Sequence, residues 1–279
     1  MEFTEEKIGF IGGGNMARAI GETLMQKGIF KPKNVWVSAK TEKTLAYWKN
    51  LGANTTFNNG EIFDNCDIVF LAVKPQYLEE AIMTTVTQFF FTGTVISVIV
   101  GVTIEKLEKL LMNTLRLGSF PNFSVFRTMP NTPLFVGEGI TVYSASKDNS
   151  CKETKDIVEQ IFSKIGMIEE VDESLIDSIG ALSGSGPAYA YQMIEALADG
   201  GVKKGIPRAL AMKLAAQVFV GAGKMVLETG KHPGQLKDEV CSPGGSTIAG
   251  IHAMELGGVR ASLINAVEAA ANRSKELGS

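Results

Sequence analysis

Two short stretches combine glycine with amide or hydroxyl side chains just ahead of helix-like patterns, and each could hold an anion. The first is G-G-G-N-M-A, from Gly12 to Ala17, and the second is S-P-G-G-S-T, from Ser242 to Thr247. Such a place needs no charged side chain. Unpaired backbone N–H groups and the positive end of the helix dipole attract the anion, and glycine keeps the backbone bare. In the first stretch Gly12, Gly14 and Ala17 fit G-x-G-x-x-A. Gly12 allows a tight turn, Gly14 lets a pyrophosphate approach, and the small Ala17 lets the helix pack on a sheet. In the second, Ser242, Gly244, Gly245, Ser246 and Thr247 could receive a carboxylate. The plain alternative there is a helix cap, in which the hydroxyls satisfy only their own helix.

Other candidates sit at strand ends. After N-V-W-V-S the chain continues A-K-T, so Ser38 and Lys40 stand where an NAD site usually offers an acid to the ribose. Hydroxyls and a lysine suit a phosphate instead, which predicts NADP. Lys74-Pro75 ends an apolar run, at the carboxyl edge where such sheets bind ligands. M-P-N-T-P, Met129 to Pro133, reads equally well as a rigid turn or as a place where Asn131 and Thr132 face a nicotinamide. S-G-S-G-P-A-Y, Ser183 to Tyr189, reads as a helix start made for packing.

The elements that must carry these residues follow from periodicity. Lys7–Ile11, Asn34–Ser38, Asp67–Val73, Thr94–Val100, Val125–Met129 and Gly139–Tyr143 read as strands, interleaved with helices at Met16–Lys27 and Thr41–Asn50. That alternation predicts an α/β Rossmann domain with a mostly parallel sheet over residues 1–170. Beyond about Val171 the strand-like runs stop, and helices are expected at Ala188–Lys204, Pro207–Glu228, Thr247–Glu255 and Gly258–Leu277. Residues 171–279 are therefore expected to form an all-α domain. Its helices are apolar around much of their circumference, and a domain this small has little interior to bury them in. It is expected to pair with a second copy.

Composition narrows the classes. With 27 basic and 30 acidic residues the net charge is about −3, which suits neither nucleic acid nor an anionic membrane. No apolar run approaches the roughly 18 residues of a membrane span. Cys66, Cys151 and Cys241 show neither metal-ligand nor disulfide spacing, so no metal is expected and a reducing compartment is. The acidic start M-E-F-T-E-E-K is unlike a signal or transit peptide. A cytoplasmic location is expected, with an organelle left open.

G-F-I-G-G-G-N-M-A, L-A-V-K-P, M-P-N-T-P, A-L-S-G-S-G-P-A-Y and S-P-G-G-S-T-I-A-G-I-H-A-M-E together resemble the pyrroline-5-carboxylate reductases, in the family's order and over nearly the whole chain. The resemblance implies reduction of 1-pyrroline-5-carboxylate to L-proline with NADPH or NADH. It implies a Rossmann domain followed by a helical domain that interlocks in a homodimer, with five dimers often forming a ring. It places Gly12, Gly14, Asn15 and Met16 at the pyrophosphate, and Ser38 and Asn59 near the adenosine ribose and its phosphate. Ala72, Val73, Lys74 and Pro75 fall along the nicotinamide, and Thr247 at the substrate nitrogen. Two features depart from the family: Ser246 replaces a common alanine, and the stretch Met112–Ser124 is longer and more apolar than usual.

The chemistry agrees with what the chain lacks. Hydride addition to an imine that arrives protonated needs no strong protein acid, and neither His232 nor His252 lies in an acid–base constellation. The carboxylate could be received by an arginine, of which Arg127 stands at a strand end, or by the loop before Thr247. Two rivals stand beside this reading. A β-hydroxyacid dehydrogenase would need a catalytic lysine that no motif supplies. A non-catalytic dinucleotide-binding regulator would not need the second anion loop.

Overall fold

The computed structural model describes residues 3, 5–115, 123–146 and 150–278, with side chains through residue 276. Strands β1 (Ile8–Ile11), β2 (Val35–Ser38), β3 (Asn54–Thr56), β4 (Ile68–Leu71), β5 (Thr94–Ser97), β6 (Ser124–Pro130), β7 (Gly139–Ala145) and β8 (Gly166–Glu170) form one sheet in the order 3-2-1-4-5-6-7-8. All neighbours are parallel except β6 and β7. From β1 the chain steps outward to β2 and β3, then returns to lay β4 on the other side of β1. The reversal opens a crevice at the carboxyl ends of β1 and β4, where sheets of this kind bind ligands.

The sheet is covered on both faces, which explains its continuous apolar runs. Successive residues of β1 and β4 enter opposite cores. Ile8, Phe10, Ile68 and Phe70 join Ala17, Ile20 and Leu24 of α1 (Asn15–Gln26), Trp48 of α2 (Glu42–Asn50) and Phe162 of α6 (Lys152–Ser163). Ile11, Val69 and Leu71 join Ile62 of α3 (Asn59–Asn65), Leu78 and Ile82 of α4 (Leu78–Met83), and Leu107 of α5 (Ile104–Thr114). Phe10 is stacked between Phe70 and Trp48, at 5.0 and 5.8 Å.

The expected strands and helices form; β1, β2, β4, β5 and α2 are shorter by a residue or more than expected, and the others are as long or longer. β3 and β8 were not expected. β3 is the polar triplet N-T-T and β8 is the half-exposed G-M-I-E-E, so neither carries the apolar run that marks a strand. Residues 116–122 of the unusual stretch, and Arg116 with them, lie outside the described residues.

Backbone packing divides the chain into Met1–Gly184 with Ala271–Ser279, and Ser185–Ala270. The first unit also holds α7 (Ile176–Ile179) and a π-helical turn, Gly180–Gly184. The second is built from α8 (Gly186–Lys203), α9 (Arg208–Thr229), α10 (Pro233–Val240), α11 (Ser246–Leu256) and most of α12 (Val259–Gly278). Among residues 185–270 only Ala198, Ala211 and Ala215 are buried, where α8 meets α9. Leu210, Leu214, Val218, Val220, Leu227 and Leu256 stand exposed. One expectation is corrected here: α9 is long and apolar enough to cross a membrane. Its two lysines, Lys213 and Lys224, hid this from a search for uninterrupted runs.

Arg127 on β6 is only 3% exposed, and it pairs with Asp177 at 2.6 Å and Glu173 at 3.5 Å. Glu173 also accepts the Ile104 N–H at the start of α5, at 2.7 Å. The guanidinium thus ties a strand to two helices. Truncating it would strand two half-buried carboxylates. Arg127→Ala should cost about 3 kcal/mol, seen as a lower urea midpoint at unchanged slope; a loss below 0.5 kcal/mol, on the order of a surface substitution, would show that the network carries no stability.

Candidate functional site

The crevice between β1 and β4 is a cleft of about 500 Å3 lined by Gly12, Gly14, Ser38, Lys40, Asn59, Ala72, Val73 and Lys74, among others. Its floor is the turn that follows β1. Gly12 has φ +97°, and a Cβ there would lie 2.7 Å from the Ala72 carbonyl oxygen, so both conformation and space demand glycine. The turn is fixed from beneath, where Trp48 Nε1 donates to the Gly13 carbonyl at 3.1 Å. Ala17 is fully buried and lets α1 sit close on the sheet.

Gly14 is the N-cap of α1, and no side chain caps the helix or places an acid in its first turn. The Arg18 N–H is the first to bond back, to Gly14 O at 2.9 Å. The N–H groups of Asn15, Met16 and Ala17 are left over, as at every helix start. A Cβ on Gly14 would meet no atom within 4 Å, so the space before these donors is open. Bare donors, open space and a cleft of this size fit the pyrophosphate of a dinucleotide. Asn15 is exposed and Met16 packs against the core beside this turn.

At the adenosine end, Ser38 is fully buried. Its hydroxyl donates to Asn59 Oδ1 at 2.7 Å, and Asn59 Nδ2 donates to the Ala81 carbonyl at 2.9 Å. These two side chains lace β2, α3 and α4 together under the cleft. Lys40 reaches across to Glu80 Oε2 at 2.6 Å and lies 5.0 Å from the centre of the Tyr77 ring. At the other end Lys74 and Pro75 are exposed, and the Lys74 ammonium makes no ion pair among the described residues.

Asn131 is used differently. It is 4% exposed, its Oδ1 accepts the Ile140 N–H at 2.8 Å, and its Nδ2 donates to the Ser183 carbonyl at 3.0 Å. Both ends of the amide are committed, and they join M-P-N-T-P to the π-helical turn of A-L-S-G-S-G-P. Met129 fills the space above Gly180 in the same joint. The sequence displayed both motifs but no sign that they meet.

The second stretch has the same construction as the first. Gly244 has φ +67°, and Gly245 is the N-cap of α11, with no side-chain cap and no acid in the first turn. The first returning bond is Ala249 N–H to Gly245 O at 3.4 Å, which leaves the N–H groups of Ser246, Thr247 and Ile248 over. Ser242 and Ser246 are exposed and Thr247 half-buried, and none of their side chains caps the helix. Neither histidine stands ready for proton transfer. His232 Nδ1 accepts the Gly234 N–H at 3.1 Å to start α10, and His252 is exposed on α11.

Comparison with known proteins agrees with this geometry. Residues 173–277 match the family model for pyrroline-5-carboxylate reductase dimerisation, and residues 7–101 match that for coenzyme F420-dependent NADP oxidoreductases. A pyrroline-5-carboxylate reductase 2 of Bos taurus is 43% identical over 98% of this chain and 84% of its own length. A Plasmodium falciparum pyrroline carboxylate reductase solved with NADP bound superposes with TM-score 0.87 at 35% identity, over 100% of both chains. A pyrroline-5-carboxylate reductase of Coxiella burnetii gives 0.81 at 36%, over 98% of this chain and 99% of that one.

The open N-cap at Gly14 can be tested by closing it. Gly14→Asp would supply the missing cap, since φ −79° and ψ −162° suit any residue. The variant should melt higher, by about 0.5 kcal/mol of helix stabilisation, yet bind NADPH at least about tenfold more weakly, because its carboxylate occupies the anion's place. A variant that is stabilised and still binds NADPH normally in a fluorescence titration would remove the anion role from this turn.

Proposed function

The chain belongs to the pyrroline-5-carboxylate reductase family, and from that premise we propose how its own residues reduce 1-pyrroline-5-carboxylate to L-proline. It is an NADP-dependent oxidoreductase. The observation that carries the reading is identity of 43% to a reductase over 98% of the chain, in a molecule that keeps both uncapped glycine turns.

Asn15 and Met16 hold the pyrophosphate through backbone N–H groups, with Gly14 leaving the approach bare and Gly12 making the turn, its own N–H given to the Ser38 carbonyl at 3.0 Å. Ser38, Lys40 and Asn59 form the adenosine end, and Ala72, Val73, Lys74 and Pro75 the nicotinamide end. Asn131 acts through the turn it braces. When bound, NADPH supplies a hydride to the imine carbon. The substrate carboxylate is received at the start of α11 by the free N–H groups of Ser246 and Thr247, to which Gly244 and Gly245 leave access, with Ser242 beside it; the Gly245 N–H is already given to the Ser242 carbonyl at 3.0 Å. Thr247 Oγ accepts the N–H of the protonated imine and fixes the ring's orientation. Hydride addition cancels the iminium charge and leaves a neutral secondary amine, which takes its proton from water. No protein acid is required, consistent with histidines that are bound to a helix start or exposed.

The chain works as a homodimer, which gives the apolar faces of residues 185–270 something to cover them. We read those faces as the reason for α9's apolarity, in place of a membrane. A functional boundary at 170/171 is supported by the dimerisation match beginning at 173, although the backbone groups residues through 184 with the sheet. Free cysteines suit a reducing compartment, the cytoplasm first among them. Burial also pushes the Cys66 thiol well above its ordinary range, so it stays protonated.

Purified protein should oxidise NADPH with pyrroline-5-carboxylate and not with a panel of keto acids; turnover only with the keto acids would replace this reading with the dehydrogenase one. Thr247→Ala should lower kcat by about tenfold, or ~1.4 kcal/mol of barrier, with NADPH affinity unchanged and Thr247→Ser restoring most of the rate. Unchanged kcat in Thr247→Ala would remove the hydroxyl from the mechanism. We further propose that five dimers assemble. Native mass spectrometry should then give ten times the 29.9 kDa chain mass, and a species at twice that mass would limit the assembly to the dimer.

A further inference from the structure

The adenosine end of the cleft holds a carboxylate that the cofactor motif did not predict. NAD sites usually place an acid at the end of β2. Here β2 ends in Ser38, whose hydroxyl is committed to Asn59. The acid arrives from another element, as Glu80 of α4, and among the residues lining the cleft it is the one carboxylate. It meets Lys40, two residues past the end of β2, at 2.6 Å. The pair bridges the cleft, with the Tyr77 ring beneath the lysine. Both side chains are more than half exposed, at 62% and 57%. An exposed pair of this kind is worth about 0–1 kcal/mol, so a ligand can break it.

We propose that Glu80 sets cofactor selectivity by competing with a 2′-phosphate for Lys40. The proposal rests on the NADP reading and deepens it. When a 2′-phosphate arrives, Lys40 must leave Glu80, and the freed carboxylate faces the phosphate as a like charge. Both effects weaken NADPH. With NADH there is no phosphate, the pair stays closed, and Glu80 is available to accept from the ribose hydroxyls. Lys40 thus favours NADPH while Glu80 holds that preference down, and the chain accepts both cofactors. The other cation of the cleft, Lys74, lies past β4 and is not part of the pair.

Equilibrium binding of adenosine fragments tests this without turnover. Adenosine 2′,5′-bisphosphate and 5′-AMP would be titrated by calorimetry into the wild type, Glu80→Gln, Lys40→Met and the double variant. Glu80→Gln should bind the bisphosphate about three- to fivefold more tightly and 5′-AMP no better than the wild type does. Lys40→Met should lose affinity for the bisphosphate alone. In the Lys40→Met background the gain from Glu80→Gln should shrink to what the like charge alone costs, since the competition for the lysine is gone. An unchanged bisphosphate-to-AMP ratio in Glu80→Gln would overturn the proposal and leave the NADP reading intact, as would a gain that persists in full without Lys40. A wild type that binds the bisphosphate no more tightly than 5′-AMP would overturn both.

Discussion

The molecule depends on two helix starts that are left uncapped. Every α-helix must dispose of its first N–H groups, and an ordinary helix does so with its own side chains. This chain does so at α2, α3 and α5 but not at α8 or α9, whose N-caps Ser185 and Pro207 make no side-chain bond and are followed by no acid in the first turn. Thr41 caps α2, Asn58 caps α3 and Thr103 caps α5, each accepting a backbone N–H, and every helix from α2 to α6 carries an acid in its first turn. At α1 and α11 the cap is glycine and the acid is missing. In the function proposed above, the N–H groups withheld from internal use are the ones offered to a pyrophosphate and a carboxylate. Each forgoes stabilisation of about 1 kcal/mol or less, which is what a side-chain cap is usually worth.

The two starts are supported in different ways. The turn before α1 sits on a sheet buried on both faces, and Trp48 and Ala72 hold it from beneath and from the side. α11 belongs to a group of helices with three buried alanines and almost no interior of its own. A stable helical unit cannot be made from that burial alone, so the dimer is part of the fold. We read the apolar circumference of α9, which by length and composition would suit a membrane, as a face for that partner.

How much of this could be read beforehand differs by element. β1, β2, β4 and β5 announce themselves, because burial on both faces forces continuous apolar runs. β3 and β8 do not, since each lies at a sheet edge and is held by backbone pairing more than by its side chains. The site was legible where glycine is obligatory, at Gly12 and Gly244, because few residues tolerate those conformations. It was illegible where side chains from distant segments meet. Lys40 with Glu80, Ser38 with Asn59 and Asn131 with Ser183 are separated by 40, 21 and 52 residues. Nothing in the local pattern of either partner signals the other.

That last class shows why a site residue can be found for an incomplete reason. Asn131 was singled out as a polar group at a strand end, which is where ligands bind. Its amide instead clamps Ile140 and Ser183 and so fixes the π-helical turn that ends the first unit. Ser38 likewise lies fully buried with its hydroxyl directed at Asn59. Both influence chemistry by setting the backbone on which it happens. In the proposed mechanism the groups left to touch ligands directly are mostly N–H donors, one threonine hydroxyl and two lysines. Such a set suits a reaction whose substrate brings its own proton, because binding and orientation are then all that the protein must supply.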